Sequence, residues 1–183
     1  MTLPNCSSEM MRCMLALVLL FAGTNGATAQ SAPAEPPCGS AEHRQFDFWG
    51  GGWDVFATGT SKQVATSRIE KLHGGCTIRE NWMPTSNPGG GSLNGYDARN
   101  RLWRQNWHDS SGSMVAFEGG LVAKEMVLTG LWRDLLGQGK DALVRMTYSP
   151  SAEGNVRQIG EQSVDFGKTW QPSFDFTYKR RSK

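Results

Sequence analysis

The chain lacks any apolar run long enough to cross a bilayer as a helix: its longest, Met14 to Ala22, is about half of the roughly 20 residues such a span needs. Charge of one sign is equally scarce. The formal net charge is +2 and no cationic cluster exceeds Lys179–Arg181, so the basic stripe of a nucleic-acid binder is missing. Histidines number three and cysteines four, and the cysteines are isolated, without the paired ligand spacing of a zinc site. No stretch sustains a helical period, which excludes a helical bundle. Catalytic signatures are thin as well. The sequence "GKT" at Gly167–Thr169 would end a phosphate loop only if a glycine stood where Gln162 stands. "DFG" at Asp165–Gly167 has no glycine-rich or catalytic loop to accompany it.

What is present begins with a leader. Arg12, the apolar run and the small residues Ala27 and Ala29 form the pattern of a secretory signal peptide over 1–29, with cleavage expected after Ala29. No cysteine follows the run where a lipoprotein signal requires one, so the mature chain is expected to be periplasmic or secreted and free of lipid. Residues 30–42, rich in Ala, Pro and Ser, read as a flexible arm, and 43–183 as a single domain. Cleavage leaves Cys38 and Cys76, which in an oxidising compartment are expected to form a disulfide, two free thiols being the alternative.

From Trp53 onward, short β-like runs alternate with Gly, Asn, Asp and Pro punctuation. Ten strands are expected, near 53–59, 62–72, 76–83, 91–98, 101–108, 113–121, 124–132, 141–148, 155–164 and 169–179. The connections are short, so consecutive strands must be antiparallel neighbours. A meander of this length either closes or leaves long unpaired edges. The expected fold is therefore all-β, an antiparallel up-and-down barrel of about eight to ten strands, ahead of a sandwich. In the last strand, alternation places Trp170, Phe174, Phe176 and Tyr178 on the inner face.

The run "FDFWGGGWDVF" reads as a short helical turn whose aromatics Phe46, Phe48 and Trp49 plug one barrel end before Trp53 starts the first strand. Its G-x-W resembles the lipocalin signature, in which such a Trp packs under an Arg near the end of the last strand; Arg180 or Arg181 stands at that place. "FDFWGGGWDV", "GGCTIRENW", "SLNGYD", "WRQNW" and "GNVRQIGEQSVDFGKTWQPSFDFTYKR" together resemble the exported bacterial family of unknown function numbered 1579 and its lipocalin-like relatives. That resemblance implies a calycin-type barrel and little about activity.

A barrel of this size has room for one small ligand. The candidates to line it alternate with core aromatics: Glu80 and Trp82, Asn94 and Tyr96, and Gln105 between Trp103 and Trp107. Of these, Trp82, Trp103 and Trp107 would supply contact area, and Glu80, Tyr96 and Gln105 would orient a small hydrophobic or amphiphilic molecule. Arg145 and Glu161 are expected partners for an inward Glu80 or Gln105. Two other readings stand beside this one: a satisfied polar network in a filled barrel, serving a structural or interaction module, and an enzyme acting on a small exported substrate through a perturbed carboxylate or histidine. Haem would need His73 or His108 as axial ligand, and both stand at turns; no cofactor is expected.

The segment "SVDFGKTW", Ser163–Trp170, resembles the Asp box that recurs in sialidases. A single copy reads as a hairpin turn, with Asp165 accepting from turn amides, Gly167 at positive φ, Ser163 and Thr169 pairing across the strands, and Trp170 packing inward.

Overall fold

A computed structural model of the protein describes residues 37–181. The expected signal peptide and most of the expected arm lie outside the described residues. Within the arm's described end, Cys38 is disulfide-bonded to Cys76, 38 residues further along the chain. Among the described residues no helix is long and apolar enough to cross a membrane.

Two short 3-10 turns, Glu42–Arg44 and Asp47–Trp49, precede ten strands. These are β1 Gly51–Ala57, β2 Gln63–Leu72, β3 Thr77–Pro84, β4 Gly90–Asp97, β5 Leu102–Asp109, β6 Met114–Val122, β7 Glu125–Trp132, β8 Ala142–Pro150, β9 Val156–Ser163 and β10 Gln171–Arg180, with one further turn at His73–Gly75. Every strand pairs antiparallel with its sequence neighbour, and β1 also pairs with β10, closing the barrel. The meander is thus closed, as the short connections require.

The strands alternate buried and exposed side chains, the buried face being apolar in most of them and polar in β4, where Ser92 and Asn94 point inward and Leu93 outward. In β8, Ala142, Val144, Met146 and Tyr148 are buried while Leu143, Arg145, Thr147 and Ser149 between them are only partly covered. This period of two matches a barrel wall with one face turned to the interior. One end is plugged by the Asp47–Trp49 turn. Phe46 stacks on Trp49 at 4.8 Å and meets Tyr148 and Trp103 edge-on at 5.0 and 5.7 Å. Phe46, Trp49 and Trp53 are wholly buried, and the Trp53 indole donates to the Trp49 carbonyl at 2.8 Å. The first strand begins at Gly51, slightly earlier than the Trp53 expected from the sequence.

A bulge in β10 overturns one expectation. Between Pro172 and Phe174 the register with β9 shifts, so Ser173 is the extra residue and the side-chain alternation reverses there. Phe174, Phe176 and Tyr178 point inward, but Trp170 lies outside, under the Arg145 guanidinium at 4.1 Å. Arg145 and Glu161 are likewise outside and bond each other at 2.7 Å rather than serving Glu80 or Gln105. In the Asp-box turn Ser163 and Thr169 do not pair; both hydroxyls donate to Asp165, at 2.7 and 2.6 Å, and the Thr169 amide donates to it as well. Gly167 has φ 86°.

Candidate functional site

The plug fills one end, and below it the barrel holds a cavity of about 240 Å3. At the opposite end, where β3, β5 and β7 finish and β10 begins, Trp82, Trp107, Trp132, Phe174 and Phe176 line this cavity and are each half-buried, forming an aromatic mouth. Trp82 stacks against Phe176 at 5.7 Å, and Phe176 on Phe174 at 4.9 Å. Deeper in, Phe117, Met146, Tyr148 and Tyr178 are buried, and the polar lining consists of Glu80, Gln105 and Gln158 together with the two phenols.

Register explains how the polar groups meet. Glu80 on β3 lies opposite Ser92 on β4, and Asn94 lies opposite Gln105 on β5. The Ser92 hydroxyl donates to Glu80 Oε2 at 2.9 Å. Asn94 Nδ2 donates to Ser92 Oγ at 2.9 Å, and Gln105 Nε2 to Asn94 Oδ1 at 2.6 Å. Across the cavity Tyr148 on β8 faces Gln158 on β9 in register; Gln158 Nε2 donates to the Tyr148 hydroxyl at 3.0 Å and its Oε1 accepts from Tyr178 at 2.6 Å.

Glu80 is the one acidic or basic side chain of the lining. Burial pushes its carboxyl up to about 7, opposed by the neighbouring hydroxyls of Ser92 and Ser67. Ser67 Oγ sits close enough to oppose the shift but closes no hydrogen bond of its own. Burial first, and the Glu80 charge second, raise both Tyr148 and Tyr178 well above the ordinary phenol range, so both remain hydroxyls. The site therefore offers phenols, carboxamides and one near-neutral titrating carboxyl, under a roof of aromatic rings.

Of the six residues singled out in the sequence, Glu80, Trp82, Gln105 and Trp107 line the cavity. Tyr96 and Trp103 do not. Trp103 packs on Phe46 and donates to Gln45 Oε1 at 3.1 Å, while Tyr96 meets His43 edge-on at 5.2 Å. Both belong to the plugged end. His73 and His108 are exposed, away from the lining. Tyr148, Gln158, Phe117, Trp132 and Met146 also line the cavity without having been singled out from the sequence; the alternation of Phe174, Phe176 and Tyr178 is the signal for that side. The interior is neither wholly filled nor wholly apolar. Among the described residues no group of three His, Cys, Asp or Glu side chains is placed to hold a metal ion. No protein-family model matches the chain, and no curated protein matches it significantly.

Proposed function

We propose that this protein is an exported, lipocalin-like barrel that binds one small apolar or amphiphilic molecule without catalysis. The observation that carries the reading is the cavity of about 240 Å3, open between half-buried aromatic rings and backed by convergent polar groups. An apolar cavity of about 150 Å3 accommodates benzene, so this one suits a ligand of roughly a bicyclic ring system or a medium-length alkyl chain. The Cys38–Cys76 disulfide supports export, because such bonds persist in oxidising compartments. The motif order from "FDFWGGGWDV" to "FDFTYKR" supports membership of the exported family of unknown function 1579.

The test is native mass spectrometry of protein recovered from an exporting host, followed by titration with 1-octanol read by tryptophan fluorescence. A co-purifying small molecule, or saturable quenching by octanol that is lost in Trp107→Ala, is expected. Protein that carries nothing and leaves its fluorescence unchanged with octanol overturns the reading.

A second reading has one observation in its favour. Glu80 is a perturbed carboxyl inside a cavity, the feature an acid–base enzyme would need. Turnover of a small substrate that disappears in Glu80→Gln would establish it.

A further inference from the structure

We propose that the ligand of this cavity carries a cationic nitrogen, an alkyl- or arylammonium, whose charge sits against Glu80 while its apolar body fills the space up to the aromatic mouth. The inference rests on the cavity being a binding site, and it specifies the chemistry of what enters.

Three observations carry it. First, Glu80 is only 6% exposed, and the groups that meet its carboxyl are neutral hydroxyls, Ser92, which donates to Oε2, and Ser67. Buried charges in proteins are paired, so an ionised Glu80 calls for a cation. Second, no Lys, Arg or His lines the cavity, so the protein supplies no cation to Glu80 and none to a carboxylate ligand. Arg145, the nearest sequence candidate for that role, is engaged outside by Glu161 and Trp170. Third, the remaining walls suit an apolar body attached to that cation. Trp82, two residues beyond Glu80 on β3, and Trp107 and Trp132 present indoles at the mouth, where they cover the ligand's apolar body.

The groups that face Glu80 are the hydroxyls of Ser67 on β2 and Ser92 on β4 and the phenols of Tyr148 and Tyr178. None of them ionises near neutrality, so Glu80 alone sets the charge of the site. With the cavity empty, Glu80 can relieve its burial by holding a proton. A cation reverses that balance: it pairs with the carboxylate and the proton leaves to solvent. Binding of an ammonium should therefore strengthen as pH rises, by up to about ten-fold per pH unit below about 7, and level off above. A neutral ligand of the same shape should show no such slope.

The experiment compares octylammonium, 1-octanol and octanoate on the mature protein by titration calorimetry from about pH 5.5 to 8.5, with Glu80→Gln alongside. At the upper pH octylammonium is expected to bind about ten-fold or more tightly than octanol, the worth of one charge-assisted hydrogen bond. It is expected to lose that preference and its pH slope in Glu80→Gln, while octanol binding stays. Equal binding of octylammonium and octanol, tighter binding of octanoate, or an undiminished preference in Glu80→Gln overturns the cationic ligand and leaves the cavity as a binding site. Failure of all three ligands to bind overturns both. If Glu80→Gln does not fold, the pH slope of the native protein decides, since a flat octylammonium profile contradicts the proposal.

Discussion

Arg180, near the end of β10, lies flat over the indole of Trp53 near the start of β1, its guanidinium carbon 4.0 Å from the ring centroid, and donates through Nη1 to the carbonyl of Gly50. Trp53 is fully buried, so the cation caps the wall where the first and last strands close the barrel. The contact also explains Gly51. At φ 131° this residue has a conformation side chains rarely adopt, and a Cβ there would come within 2.1 Å of Arg180 Nη1.

Removing the cation while keeping the stem, by Arg180→Met, should therefore cost about 1 kcal/mol, the sum of an exposed cation–π contact and part of a hydrogen bond. Gly51→Ala should cost more, because it adds backbone strain to the loss of the same contact. Urea unfolding midpoints of the two variants check the order. A Gly51→Ala protein as stable as the parent would mean that this closure tolerates a shifted Arg180.

Asp165 organises the β9–β10 turn. The Thr169 hydroxyl, then the Thr169 amide, then the Ser163 hydroxyl hold its carboxyl down to about 2 from its ordinary 3.8. A depressed carboxyl contributes stability that is present above its unfolded value and is lost as pH falls through the folded one. Asp165→Asn should accordingly lower the unfolding midpoint near neutrality, and its deficit should shrink as pH falls from about 4 towards about 2. Parallel curves for parent and variant across that window would show that the turn is held by Gly167 and the strands alone.

The strand count, the order and the closure could be read from the sequence because each depends on local signals: apolar alternation gives a strand, and a short connection gives an antiparallel neighbour. What failed depends on position along the barrel axis. Tyr96 and Trp103 were expected beside Gln105, yet alternation gives only a face, not a depth, and the depth is set by Phe46 and Trp49 filling one end. Trp170 failed for a different reason. Nothing in "WQPSF" marks Ser173 as a bulge, although Pro172, which cannot donate to a ladder, is the residue beside which an irregularity is easiest to place. The same bulge leaves Phe174 inward, opposite Gly160, where its ring occupies the space a side chain would take. Tyr148 and Gln158 were missed because their pairing is a matter of register between β8 and β9, which neither strand specifies alone.

Glu80 gives the protein a pH dependence opposite in sign to that of Asp165. Its carboxyl is raised from the ordinary 4.5 to about 7, so between those values the folded chain keeps a proton that the unfolded chain has released. The contribution of the protonated group is full below about 4.5, falls as pH climbs, and is gone above about 7. The loss is on the order of 3 kcal/mol, a large part of the stability of a domain this size. Glu80→Gln cannot ionise and can still accept from Ser92 through its carbonyl oxygen. It should match the parent at about pH 4.5 and exceed it above about pH 7, with a flatter midpoint-against-pH curve. Carboxyls such as Asp97 and Asp165, held at about 2, act only below pH 4 and leave this window to Glu80. A parent protein whose unfolding midpoint stays level from about pH 4.5 to 7.5, or a Glu80→Gln variant with the same slope, would mean that solvent reaches Glu80 and that the cavity floor is wet.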